Sequence, residues 1–480
     1  MTPKASQARQ RGTLAVICLA TAMLMLDIAV VNNALPRLAR DLHAGLTGVQ
    51  WLVDAYTLAL AAVVLSAGSL ADRRGRRLVF AAGMALFTAA SLACAVADSI
   101  GLLDAWRAVQ GIGAALMFAS SLAILADAFP EAHERAGAMA AYGATIGASF
   151  AIGPAVGGAL TSAMGWRSVF FVNLPLGALA LLGTRAWIRE SRHRGARRLD
   201  WPGQLTLTAG LFLLVLALLR ANTDGWGSAR TIGELGGAGA LLAGFAWIEV
   251  RVAEPMLPLA MFRRREFTAA QVAAFAISAS FFALYLYMTL YLQDVLRVSP
   301  LAAGLAYLPG TLLLFVASAA SSKLTERFHP PALVIAGLGL VAVGLALLVI
   351  TGTDSSWTVI LPGHLLVCLG TGLFNPALGT VALGAGPAES SGLLAGVNDA
   401  FRQGGIAVGV ALFGALVPAG AALGHGSPES YVTGFHHALA AGTAIAALGT
   451  MATALLLARR RPQARAAQPL TAAEPAAEIA

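Results

Sequence analysis

Asp27 lies near the far end of the first long apolar run, in Leu26-Asp27-Ile28-Ala29-Val30-Val31-Asn32-Asn33-Ala34-Leu35-Pro36. An ionised carboxylate in so apolar a stretch costs about 3 kcal/mol or more unless water or a partner meets it. Burial disfavours the charged form of a carboxyl, so the chemistry open to Asp27 is the uptake and release of a proton; the bland alternative is an ion pair that only holds helices together. A counter-charge is available in Arg107-Ala108-Val109-Gln110-Gly111. Arg107, Gln110 and Gly111 stand at i, i+3 and i+4, on one helix face. A buried Arg needs an acid, and Asp27 is the candidate. Asp54 follows Thr47-x-x-Gln50, the spacing of a capping box. It either favours the positive helix start or handles a proton or cation, and Tyr56 beside it is equally suited to packing or to binding. Late in the chain, Asp399 and Arg402 of Asn398-Asp399-Ala400-Phe401-Arg402-Gln403 stand at i and i+3, where they neutralise each other or serve a site.

The elements that must hold these groups are membrane helices. The 480 residues are 58% hydrophobic and 12% charged, against about 25% charged in soluble domains, which excludes an ordinary soluble enzyme. Apolar runs near 13–34, 48–70, 78–98, 102–126, 137–162, 168–188, 203–220, 231–250, 267–292, 301–321, 332–350, 357–384, 394–418 and 432–458 are each long enough to span a bilayer. With the N-terminus inside, the inside segments carry 24 of the 32 Lys and Arg and the outside segments six. The positive-inside rule therefore places both termini in the cytoplasm and requires an even number of spans. The first run leads into Asn-Asn-Ala-Leu-Pro rather than a small-residue cleavage site, so it reads as a retained helix. Cys18, Cys94 and Cys368 each lie in an apolar run and behave as small hydrophobes.

Other chemistries are excluded by motif. Lys occurs only at Lys4 and Lys323, neither preceded by Gly, so no phosphate-cradling Gly-x4-Gly-Lys loop exists and the chain is not an ATP-driven pump. His-Glu-x-x-His and Gly-x-Ser-x-Gly are absent, which argues against a membrane protease or esterase. The net charge of +8 is explained by loop orientation rather than by nucleic acid.

Four segments carry a resemblance. Gly68-Ser-Leu-Ala-Asp72-Arg73-Arg74-Gly75-Arg76-Arg77 resembles the Gly-x-Leu-Ala-Asp-Arg-x-Gly-Arg-Arg loop of the major facilitator superfamily, and Arg107-x-x-Gln110-Gly111 resembles its fourth-helix motif. Gly153-Pro154-x-x-Gly157-Gly158 and Trp166-Arg167-Ser168-Val169-Phe170-Phe171-Val172-Asn173-Leu174-Pro175 look like its drug-efflux branch with 14 spans. The later half matches more loosely. The resemblance implies an all-α membrane protein of two six-helix bundles, residues 1–198 and 263–461, with two extra central helices in 199–262 and a disordered tail at 462–480. It implies a proton-coupled antiporter of the inner membrane that exports lipophilic, cationic drugs by alternating access, as a monomer in lipid, without cofactor, metal, catalysis or nucleic-acid partner. Export of a self-made metabolite or antibiotic, or a sensor that binds without transporting, are the alternatives. The implied proton-coupling residues are Asp27, Arg107 and Asp54; the implied substrate contacts are Asp54, Tyr56, Gln110, Tyr285, Asn398 and Asp399. The implied gating residues are Gly68, Asp72, Arg73, Gly75, Arg76, Gly153, Pro154, Gly157 and Gly158. Aromatic residues Phe281, Phe282, Tyr285, Tyr287 and Tyr291 suit either a cation-binding pocket or packing.

Overall fold

The computed structural model describes residues 3–192, 199–384, 391–418, 420–424 and 426–458. The expected tail at 462–480 lies outside them, and among the described residues every regular element is helical. The first half contains α1 (Pro3–Asp41), α2 (Leu46–Arg74), α3 (Arg76–Val96), α4 (Ile100–Ala128), α5 (Ala132–Met164), and α6 (Ser168–Phe171) leading into α7 (Asn173–Trp187). Two central helices follow, α8 (Trp201–Asp224) and α9 (Ala229–Arg251). The second half contains α10 (Arg265–Ile277), α11 (Ala283–Leu290), α12 (Pro300–Arg327), α13 (Pro330–Leu347), α14 (Leu361–Gly384), α15 (Ser391–Gly414) and α16 (Pro428–Ala458). A π-helical turn at Ser278–Phe282 joins α10 to α11 in one pass, and a second π turn, Tyr291–Val295, ends it.

Among the described residues, 13 passes are long and apolar enough to cross a membrane. The expected span at 394–418 is α15, which falls short of that apolarity because Asn398, Asp399, Arg402 and Gln403 lie in its middle. The short seventh run becomes a full helix: Asp200 accepts the N–H of Gly203 at 2.9 Å, and Pro202 sits in the first turn, where its missing N–H costs nothing. The capping box expected from Thr47 and Gln50 does not form. Helix α2 starts at Leu46 with no side-chain cap, and Gln50 crosses to the other half, donating to Tyr287 Oη at 2.7 Å.

Close packing rests on glycine, as expected where apolar burial does not drive helices together. A Cβ at Gly113 would meet Gly83 O and Phe87 N of α3 at 2.9 and 2.7 Å. In the second half Gly337 of α13 would meet Gly370 O of α14 at 2.6 Å, the counterpart of that contact. Helix α8 lies over the seam between α2 and α15, with Phe212 5.4 Å from Trp51 and Gln204 donating to Ala62 O at 2.8 Å.

The halves meet along α5 with α12 and α2 with α15, and both contacts are tight at one end only. Away from the basic loops, Gly158 lies against Pro300 O, Gly304 against Pro154 O, and Thr311 donates to Ala151 O at 2.8 Å. Nearer the basic loops Gly147 reaches only a Phe315 ring carbon, at 3.4 Å from a built Cβ, and Gly143 faces open space. Along α2 and α15 the Gln50 bridge gives way to a 3.6 Å approach of Leu65 to Gly396, and then to open space at Gly392. The halves pack most tightly at the end remote from the basic loops and more loosely at the other.

Candidate functional site

The carboxylate expected to do chemistry is fully enclosed. Asp27, on α1, has a side chain of zero exposure, and Arg107 Nη1 of α4 donates to its Oδ2 at 2.6 Å. Its Oδ1 accepts from Gln110 Nε2 and from Asn173 Nδ2, each at 2.9 Å. Both amides also donate to Ser91 Oγ of α3, at 2.8 and 3.3 Å. Arg107 is held by Leu52 O at 3.1 Å and Gln110 Oε1 at 2.7 Å, and its guanidinium lies 4.4 Å over the Tyr56 ring. Five helices therefore build one site, and charge-assisted bonds of these lengths are the strong kind. Gln110, expected among the substrate contacts, turns into this cluster instead. Sequence reasoning missed Ser91 and Asn173; the available signal was an amide five residues into the apolar run at 168–188.

The cluster borders a central cavity. This small cavity is lined by Ile28, Asn32, Tyr56, Thr57 and Arg107 from the first half, with Phe150 of α5. Phe282, Tyr285, Ile406 and Val410 line it from the second half. Phe150 meets Phe282 edge-on at 5.4 Å, and Tyr285 stacks on Tyr307 at 4.5 Å. The π turn at Ser278–Phe282 places Phe282 on this wall. Such turns widen the helix locally and re-aim side chains, which the simple 3.6-residue period did not reveal. Phe281, Tyr287 and Tyr291 are instead buried in packing. Asn398 stays within the second half, donating to Gln271 Oε1 at 3.3 Å.

Two further acids are buried near the cavity. Asp54 is fully buried between wall residues Val53 and Thr57 in sequence, and neither of its oxygens has a hydrogen-bond partner among the described residues. Asp104 of α4 lies within electrostatic range of it. Asp399 is buried with Oδ2 unpartnered. Arg402 is an electrostatic neighbour of Asp399, but among the described residues no carboxylate forms an ion pair of 4 Å or less with it, and it lies 5.7 Å over the Phe282 ring. The cavity wall includes Arg107 and no carboxylate, so the cation expected from the sequence finds no counter-charge on it.

The sealed end is organised by Asn33. Its Nδ2 donates to Pro154 O at 2.7 Å and Pro300 O at 3.1 Å, while Gln293 Nε2 donates to its O and Oδ1, both at 2.8 Å. Gly153 packs on Ala29, and a Cβ at Gly157 would meet Val30 Cα at 2.8 Å. At the looser end, Arg76 pairs with Asp72 at 2.8 Å and Asp127 at 2.7 Å. Gly75 has φ +119°, and Glu190 occupies the place of its missing Cβ while accepting the N–H of Arg77 and Leu78 at 3.1 Å. All these partners belong to the first half; Arg73 is exposed and Gly68 faces open space.

This geometry, a buried ion pair beside a cavity between two helical halves packed tightly at one end, is that of a carrier. A sequence model of the Major Facilitator Superfamily matches residues 17–410. The chain is 38% identical over 400 residues to the multidrug resistance protein Stp of Mycobacterium tuberculosis, covering 83% of this chain and 74% of that one. It is 35% identical over 408 residues to the tetracenomycin C resistance and export protein of Streptomyces glaucescens, covering 84% and 75%. The crystal structure of a POT family transporter superposes with a TM-score of 0.68 at 12% identity, over 92% of this chain and 96% of that one, a likeness of fold. The all-helical fold, the membrane passes and the family match agree, and the chain belongs to the Major Facilitator Superfamily of multi-pass membrane transporters.

Proposed function

We propose that this chain is a proton-coupled antiporter that exports lipophilic, drug-like compounds from the cytoplasm by alternating access, with both termini inside. One observation carries the reading: the only acid paired to a membrane-buried Arg among the described residues is Asp27, enclosed with Arg107 directly behind the cavity wall. In the state splayed at the basic loops, cargo enters between the halves. After the halves rock, a proton neutralises Asp27, the bond to Arg107 weakens, and a group on the cavity wall changes its charge balance as cargo leaves outward. Return to the first state releases the proton inside. Asp54, with no donor of its own, is a second place for a proton. The bundles 1–198 and 263–461 are the moving parts, and 199–262 covers their seam.

The energetics suffice. One charge crossing 100 mV is worth about 2.3 kcal/mol, and about 1.4 kcal/mol is tenfold, so one proton supports a roughly 40-fold cargo gradient before any pH difference is added. The names of the relatives, a multidrug resistance protein and an antibiotic resistance and export protein, support drugs as cargo; the second also favours a self-made antibiotic as the alternative. The test is efflux from vesicles under an imposed pH gradient. Asp27→Asn is expected to abolish uphill, pH-dependent efflux while leaving binding in place, and a variant that still pumps uphill ends the proposal.

A further inference from the structure

We propose that the central cavity takes flat aromatic compounds bearing an acidic group, a carboxylate or phenolate, and that Arg402 is the residue that receives that group. Arg402, Ile406 and Val410 follow one another at i, i+4 and i+8 on one face of α15. The last two line the cavity, so Arg402 stands one turn nearer the end that carries the basic loops. Its guanidinium lies over Phe282, itself a wall residue, at 5.7 Å. Tyr142 and Asp399 are its electrostatic neighbours, and neither forms an ion pair with it among the described residues. Arg107, the other cation at the cavity, is committed to Asp27 at 2.6 Å, whereas Arg402 has Asp399 only as an electrostatic neighbour and is the less committed of the two.

The remainder of the wall fits the ring of such a ligand. Phe150, Phe282, Tyr285 and Tyr56 present four aromatic faces or edges around the space, with Asn32 and Thr57 as the polar points. An acid placed at Arg402 forms a charge-assisted, potentially bidentate pair, with its ring among these aromatic groups. A fixed cation at that place has no carboxylate on the wall to meet and lies against the Arg402 guanidinium.

The assignment rests on this cavity being the cargo site, and equilibrium binding separates it from proton coupling. Purified protein in lipid nanodiscs, without any gradient, is titrated with three fluorescent probes of one shape: anthracene-2-carboxylate, its uncharged carboxamide and a trimethylammonium-methyl anthracene. Wild type is expected to bind the carboxylate about tenfold more tightly than the cation. Arg402→Gln is expected to lose about tenfold for the carboxylate, about 1.4 kcal/mol, with the carboxamide unchanged as proof of an intact site. Arg402→Lys is expected to retain part of the preference. Equal binding of the three probes by wild type, or a carboxylate preference that survives Arg402→Gln, overturns the proposal. So does tighter binding of the cation that is lost on Asp399→Asn. Should uphill transport prove independent of protons while the carboxylate preference holds, the coupling fails and this inference stands.

Discussion

Replacing Gly304 by Ala tests whether the sealed end is one side of an equilibrium. A Cβ at Gly304 of α12 would collide with Pro154 O and come within 2.9 Å of Pro154 C and of Asn33 Nδ2. Pro154 O is backbone, and Asn33 is held there by a 2.7 Å bond to that same oxygen, so neither can give way alone. The helices must separate, at an overpacking cost of about 1–3 kcal/mol. That cost falls only on the state seen here, where α5 and α12 touch, and not on a state open at this end. At about 1.4 kcal/mol per factor of ten, the population open at the sealed end rises roughly 5- to 150-fold. The assay places Cys at Asn32, a cavity-wall position, in a protein whose three native cysteines are Ala, and follows labelling by a membrane-impermeant maleimide added on the side opposite the basic loops. Gly143→Ala is the control, because a Cβ there meets nothing within 4 Å. Unchanged labelling in Gly304→Ala, or an equal increase in Gly143→Ala, refutes the idea that this glycine contact holds the seal.

Asn33→Ala removes the donor to Pro154 O and Pro300 O and one of the two acceptors of Gln293 Nε2; at about 0.5–1.5 kcal/mol for each bond lost, the same labelling is expected to rise in the same direction. Gly75→Ala forces a side chain to φ +119° and against Glu190, so thermal unfolding in detergent should shift downward by an amount equivalent to about 1–3 kcal/mol, with ligand affinity preserved. Asn173→Leu removes one of the three donors to Asp27. It is expected to lower the rate of uphill efflux about tenfold or more, at about 1.5–3 kcal/mol for a bond to a charged group, with cargo binding intact; an unchanged rate shows that Asn173 does not position the acid. Asp54→Asn should halve the number of protons exchanged per cargo if Asp54 is a second carrier, and a proton count equal to wild type by pH-stat reduces Asp54 to a structural role.

Much of this protein is legible in its sequence because a bilayer leaves few choices. Backbone in hydrocarbon must bond to itself, so long apolar runs are helices, and the Arg-rich loops set their direction. The pairing of Asp27 with Arg107 was also predictable, since Asp27 is the one charge in its apolar run and a buried Arg needs an acid. Gly153-Pro154-x-x-Gly157-Gly158 announced a close contact without naming its partner. Tertiary structure decided what helical periodicity leaves free, namely how each helix is rotated and which neighbour it meets. It turned Gln110 away from the cavity and into the acid cluster, brought Ser91 and Asn173 to the same carboxylate, and spent Gln50 on a bridge between halves instead of a cap. It also left Arg402 unpaired beside Asp399 and set Phe282 on the cavity wall through a π turn. A sequence fixes which residues share a helix face, because the backbone geometry is local; which of those faces meet is settled by glycine-to-backbone contacts between segments more than a hundred residues apart, as between Gly158 and Pro300.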